Sequence, residues 1–369
     1  MKDLKNLFKH AVFLLAIAIA VAGCDNPIEE DEGEGIITLI TQGTKVQLAM
    51  AGTGTITVDW GDGTDETFTL TSDYYFVSTP GVYYTIAPPK YNYLYVHNYS
   101  DNSSYSIKIT GENITHFSCA KYLSFSNRIT SLDVSKNIKL TVFDCGGNSL
   151  TNLNVSKNIR LTELECIGNS LTNLDVSKNI ILTKLYCSGN SLTSLDVSKN
   201  KRLTELGCGG NSLTSLDVSK NVKLTVFDCS RNSLTSLDVS ENTALTKLFC
   251  NGTQLTNLDM SKNTLLTELY CVGDWGTDNR LINLDVSKNI KLTRLVCIDN
   301  KITSLDVSKS TMLEELMCHN NNLSGDALNN LFKTLHNNTV SEKRITIYNN
   351  PGSEECNRSI AESKGWKVY

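Results

Sequence analysis

Cysteine is the residue type through which this 369-residue chain could most readily do chemistry: it has twelve. Thiols can cross-link, hold zinc or act as nucleophiles. The spacing argues against metal, because no C-x-x-C occurs; instead cysteines recur every 21 residues at 145, 166, 187, 208, 229, 250 and 271. Cys119, Cys297 and Cys318 fall at the same place in a repeat, so ten of the twelve share one position. Buried cysteine behaves as a small hydrophobe. Disulfides are conceivable, since adjacent strands lie about 4.8 Å apart, within the Cα range of a bridge. In an in-register parallel ladder, however, Cβ vectors run side by side rather than toward one another, so the reading is a core ladder of free thiols. The redox state of Cys356 stays open.

Other reactive residues give less. Cys318-His319 has the composition of a nucleophile and base, but neighbours on a strand point to opposite faces. No G-x-S-x-G, P-loop or H-E-x-x-H occurs. Asp59, Asp62 and Asp65 beside Glu66 lack the spacing of a calcium loop, and Asp62-Gly63 is a hairpin turn. A pair of carboxylates on the sheet face, such as Asp144 and Glu165 on successive repeats, is the only equipment that a glycan-active enzyme would have here. No catalytic residue, metal or cofactor is assigned, and the chain is read as a non-enzyme. With 34 Lys and Arg against 39 Asp and Glu, the formal charge is −5, which argues against nucleic acid as a partner.

The elements that position these residues are set by the repeat. The unit Leu161–Ile181 divides into halves that both read L-x-x-L-x-(C/V)-x-x-N. Its short period excludes helical solenoids, and its Thr, Ser and Asn disfavour helix. The first, fourth and sixth residues (Leu161, Leu164, Cys166) are expected to stack inward on neighbouring coils. The Asn of each half lies at a turn, where its side chain can satisfy leftover backbone groups. Thr253 and Ser310 interrupt the two asparagine columns. The alternation of L-T-x-L-x-C-x-x-N with L-T-x-L-D-V-S-K-N over residues 114–323 resembles the cysteine-containing leucine-rich repeats of the internalin family, its internalin J type in particular. That resemblance implies a curved solenoid on a surface protein that binds a ligand outside the cell.

The remaining segments fit around the solenoid. Lys2, Lys5 and Lys9 precede the apolar run Ala11–Ala20, too short to span a bilayer, so residues 1–23 read as a signal peptide. Val21-Ala22-Gly23-Cys24 resembles the lipobox of bacterial lipoproteins, which implies lipidation (palmitate) at Cys24. Residues 24–34 are an acidic tether, similar to segments that route some lipoproteins to the outer face of the outer membrane. Residues 35–112 alternate apolar and polar in short runs, the mark of an antiparallel β-sandwich. Val58-Asp59-Trp60-Gly61-Asp62-Gly63-Thr64, with His97-Asn98-Tyr99 and Tyr105-Ser106-Ile107, resembles the polycystic-kidney-disease type of immunoglobulin-like domain; the spacer Ser100–Ser104 lacks that type's usual Gly. This part is read as a spacer or minor binding module. The fold class is thus mainly β: sandwich, leucine-rich-repeat solenoid over 113–323 (parallel β), and an α/β cap over 324–369. In the cap, Leu328, Leu331, Phe332 and Leu335 mark an amphipathic helix begun by Ser324 or Asp326.

The expected function is a surface-exposed, lipid-anchored monomer of the outer membrane, adhesin-like, binding a host protein or glycan. A scaffold in an outer-membrane complex is the alternative. The third and fifth residues of each unit should face away from the core. The fifth position turns aromatic and apolar toward the C-terminal half, and five residues inserted between Cys271 and Asn279 carry Trp275. Ligand binding is assigned to Tyr186, Phe249, Tyr270, Trp275 and Arg294, because aromatic and Arg side chains dominate binding hot spots. For the anchor, radiolabelled palmitate should enter the wild-type chain but not Cys24→Ser, which stays soluble or unprocessed; a wild type that takes up no label contradicts the assignment.

Overall fold

The computed structural model describes residues 35–72, 94–121, 127–273, 281–339 and 342–369. The signal peptide, Cys24 and the tether 24–34 therefore lie outside the described residues, as does Trp275.

Alternating patterning builds the first part. Strands β1 (Ile36–Thr41), β2 (Lys45–Gly52), β3 (Thr55–Asp59), β4 (Asp65–Thr69), β5 (Leu94–Asn98) and β6 (Tyr105–Thr110) precede the repeats. In β3, Ile56 and Val58 face inward between exposed Thr55, Thr57 and Asp59. The β3–β4 turn is closed by carboxylates: Asp59 Oδ1 accepts from Gly61 N at 2.9 Å and Asp62 Oδ1 from Thr64 N at 3.0 Å. Gly61 and Gly63 take φ of 78° and 90°, the left-handed region that favours glycine. The aspartates here shape a turn.

The sandwich passes into the solenoid without a seam. The first coil contributes β7 (Ile114–Ser118) and β8 (Ile129–Asp133). One sheet has the order β4-β3-β6-β1-β8, so β1 pairs antiparallel with a strand of the solenoid (Thr38↔Asp133). The other begins β5-β2-β7 and continues through the repeats as a 14-stranded sheet. Asn127 reinforces the junction, accepting from Gln47 N at 2.8 Å and donating to the carbonyls of Gln47 and Cys119, each at 2.7 Å. The buried side chains form one cluster from Ile37 to Trp366. The expected spacer is thus an N-terminal cap: its apolar faces cover the open end of the first coil, which a solenoid must hide from water.

Each later repeat gives a three-residue strand, nine in all from Val142–Asp144 to Glu315–Met317. They pair parallel and in register, so Glu163 meets Lys184 and Glu165 meets Tyr186. Leu161, Leu164 and Cys166 are fully buried, as are their counterparts along the ladder. The asparagines bridge coils. Asn169 Nδ2 donates to Cys145 O and Cys166 O, and its Oδ1 accepts from Leu150 N. In the second column Asn200 Nδ2 donates to Val176 O at 3.0 Å and Asn179 O at 2.9 Å. Asn137, first of that column, has no preceding repeat, and its Nδ2 is buried without an acceptor. Thr253 substitutes partly, its Oγ1 donating to Cys250 O at 2.8 Å, whereas Ser310 Oγ finds no partner.

The C-terminal end is closed by helix α1 (Gly325–Thr334), strand Lys343–Thr346, helix α2 (Ser359–Glu362) and strand Trp366–Val368. Ser324 is the N-cap, its Oγ accepting from Ala327 N at 3.2 Å. Leu328, Leu331 and Phe332 are buried beneath α1. The last strand, absent from the sequence reading, adds to the edge of the ladder and buries Trp366, whose Nε1 donates to His336 O.

The ten ladder cysteines are buried free thiols, and burial pushes them up, Cys187, Cys250 and Cys297 to about 12. A thiol reagent should therefore find almost no ladder thiol in the folded protein and about ten more groups in denaturant, since the thiolate is the reactive form; ready labelling of the native chain would contradict the ladder.

Candidate functional site

The ladder face is built by the third and fifth residues of each coil, which stand opposite the buried Leu and Cys. Its third-position column is a chain of charges. Lys184 Nζ lies 3.2 Å from Glu163 and Lys247 Nζ 2.7 Å from Glu268. Parallel registry places these opposite charges on adjacent strands, where each pair contributes modestly.

Toward the C-terminal end the two columns join into one network. Phe249 stacks on Tyr270 with ring centroids 4.8 Å apart and planes at 21°. Tyr270 Oη accepts from Arg294 Nη1 at 2.9 Å and donates to Glu268 Oε2 at 3.4 Å. Arg294 Nε pairs with Glu315, whose other oxygen meets Arg344 Nη2 in an ion pair rather than an aligned hydrogen bond. Glu315 is buried, while the Arg294 and Arg344 side chains are 42% and 50% exposed. A buried carboxylate thus holds two guanidiniums with donors left facing solvent. Burial raises the Tyr270 phenol above its ordinary range, so it stays protonated and polar.

The assigned binding residues divide accordingly. Tyr270 and Arg294 are brought together. Phe249, expected to be exposed, is not: at 8% exposure it is covered by its neighbours and acts as the floor under Tyr270. Tyr186 stands apart. Its ring lies over Gly207, where a Cβ would meet Cδ1 at 2.8 Å, and its hydroxyl hydrogen-bonds to Glu205. It fills the gap that the missing side chain leaves and has no contact with the Tyr270 network. Arg344 and Glu315, which complete the network, were not among the assigned residues. Arg344 lies in the strand Lys343–Thr346, beyond the last 21-residue unit, where the repeat no longer marks outward positions; Glu315 is a third-position residue, expected only to face away from the core.

Asp144 and Glu165 are register partners on adjacent strands. Asp144 Oδ2 accepts from Ser118 Oγ at 3.2 Å and its Oδ1 from Gly146 N at 3.0 Å. Burial raises both carboxyls, and the Asp144 charge raises Glu165 further. No group of three or more His, Cys, Asp or Glu placed to hold a metal ion exists among the described residues. A surface cavity of about 450 Å³ lies elsewhere, on the turn side between Asp238 and Asp259. The raised carboxyl has a signed consequence. Below the unfolded value both states of Glu165 are protonated and nothing is lost; stability falls as pH rises from there toward the folded value. Glu165→Gln should therefore raise the melting temperature by a few degrees at pH 8 and by less than about 1 °C at pH 4. Equal melting of variant and wild type at both pH values would contradict the strained pair.

No protein-family model matches the chain, and no curated protein does. Solved structures do. A leucine-rich-repeat protein of Leptospira interrogans is 21% identical, covering 64% of this chain and 62% of its own, with a TM-score of 0.55. The functional domain of InlJ from Listeria monocytogenes, described as including a cysteine ladder, is 32% identical over 63% of this chain and 64% of that one, with a TM-score of 0.43. The internalin InlF of Listeria monocytogenes is 17% identical over 69% and 86%, with a TM-score of 0.45. The chain thus spans less than two thirds of the first two. Together with the 21-residue parallel ladder, the Leptospira likeness assigns this chain the leucine-rich-repeat fold.

Proposed function

We propose that the chain is a lipoprotein, anchored through Cys24 at the outer face of the outer membrane, whose ladder face binds an extracellular protein. The observation that carries the binding reading is the Tyr270–Arg294–Glu315–Arg344 network. Its two guanidiniums are fixed in place by one buried carboxylate and keep exposed donors. Arg294 abuts an aromatic ring with a polar tip, Tyr270, and Arg344 lies two strands beyond Arg294. Such a surface recognises carboxylates in a planar, two-point manner while Tyr270 supplies apolar contact. A pre-formed arrangement also lowers the ordering cost of association. Acidic groups on a protein partner are the ligand chemistry that fits best.

Screening an array of extracellular proteins and glycans with the wild-type chain, Tyr270→Ala and Arg294→Ala tests this. The wild type should select a protein with exposed acidic side chains, and each variant should weaken that hit by about 30-fold, the size of a hot-spot loss. Binding to glycans alone, or protein binding unchanged in both variants, rejects the site.

A further inference from the structure

The turns carrying D-V-S-K-N-x-x form one lateral edge of the solenoid. In each of the first five the Asn faces inward, while the Lys before it and the two residues after it face outward. Charge along this edge is segregated. The five turns from Asp133–Lys139 to Asp217–Lys223 hold ten Lys and Arg against four Asp; the four from Asp238–Ala244 to Asp306–Met312 hold four Lys against five acids. The basic half occurs in a chain whose formal charge is −5. None of Lys157, Arg160, Lys199, Arg202, Lys220 and Lys223 forms an ion pair among the described residues.

Between the basic columns runs an apolar one. Ile159, Ile180 and Val222 are 40%, 56% and 48% exposed. The fold does not require them, because Lys201, Thr243 and Thr264 occupy the same place in other coils. Cations flanking exposed aliphatics suit a headgroup layer: ammonium and guanidinium groups meet phosphates, and the aliphatic side chains enter the acyl boundary. A soluble polyanion would engage the cations and leave the isoleucines in water.

The position of the chain's N-terminal side points the same way. Gly35 sits against the first turn of this edge, where a Cβ would lie 3.3 Å from Asn137 Nδ2, and its carbonyl accepts from Gly111 N. The backbone leading back to Cys24 therefore starts at the basic end of the edge, and eleven residues reach at most about 40 Å. We infer that the basic edge of the first five coils docks on the anionic headgroup layer of the membrane to which the chain is tethered.

Vesicle flotation with the chain from Asp25 on, which keeps the whole compact unit Glu34–Tyr369 and carries no acyl group, tests it. The protein should bind phosphatidylcholine vesicles containing about 30% phosphatidylglycerol, ignore pure phosphatidylcholine, and dissociate as salt rises. Lys157→Glu with Arg160→Glu and Arg202→Glu should reduce binding by at least about 100-fold, each lost cation counting for about fivefold. Ile159→Ser with Ile180→Ser should reduce it by about tenfold at any salt concentration. All five positions are exposed, so the melts should match wild type. Lys288→Glu with Lys291→Glu, on the other half of the edge, should change little. The inference is overturned if the triple reversal binds like wild type or if the Lys288/Lys291 variant loses as much. Binding to soluble heparin with the same sensitivities but not to vesicles also overturns it. A chain that binds these vesicles but incorporates no palmitate keeps the docking edge and removes only the acyl anchor.

Discussion

Everything in the solenoid depends on the buried asparagine amide. Its N–H groups reach carbonyls of the preceding coil, as Asn200 does with Val176 and Asn179, or of the preceding coil and its own, as Asn169 does with Cys145 and Cys166. A carbonyl at a tight interior turn has no strand partner, and leaving it unpaired costs about 1–3 kcal/mol. The amide meets that need only if the coils are stacked at a fixed offset, which the coil with the five-residue insertion also keeps, Asn289 donating to Met260 O and Asn263 O. The same geometry leaves the Oδ1 atoms of Asn158, Asn179, Asn200, Asn221, Asn242, Asn263 and Asn289 without a protein donor. The second column is therefore built to satisfy carbonyls, while the first, exemplified by Asn169, uses both ends of its amide. Leucine and cysteine then fill a space whose dimensions the amides have set, and cysteine suits it because its side chain is small and stays a thiol when buried.

Fixed stacking also determines what the exposed faces can be. Registry brings equal positions side by side, so a residue type repeated in sequence becomes a column in space. On the ladder face this yields Lys–Glu and Arg–Glu pairs, and it lets Phe249 and Tyr270 lie flat against each other. Where the column carries two carboxylates in succession, Asp144 and Glu165, the same registry works against ionisation. The capping segments are subject to the same rule at the ends. β1 and β2 extend the two walls of the first coil, and the Lys343–Thr346 and Trp366–Val368 strands extend the last. No boundary interrupts the core among the described residues.

The repeat was legible because its period is short and its inward positions vary little: Leu161, Leu164, Cys166 and the asparagines could be placed from spacing alone. The helix at Gly325–Thr334 was legible from its i, i+3, i+4, i+7 pattern. The union of sandwich and solenoid was not, because pairing of Thr38 with Asp133 joins residues far apart in sequence and needs nothing unusual from either. The Tyr270 network was half legible. The composition of the fifth column pointed to Tyr270, and Arg294 stood next in the third. Whether an aromatic is exposed or covered depends on its neighbours' rotamers, so neither the cover over Phe249 nor the seat of Tyr186 over Gly207 could be read from spacing. The Trp366–Val368 strand was hidden because three residues after a glycine carry too little pattern to be distinguished from coil.

The in-register stack has a consequence for how such a protein can change over generations. Because the partners of Asn200 are supplied by any preceding coil of the same type, an interior coil is interchangeable with its neighbours. A tandem duplication or loss of one 21-residue unit would restore every amide–carbonyl bridge and every leucine contact, and would alter only the distance between the sandwich and the helical end. Reach is thus a heritable quantity that can be stepped in increments of about 4.8 Å without redesigning either terminus, while the columns on the surface lengthen or shorten in proportion.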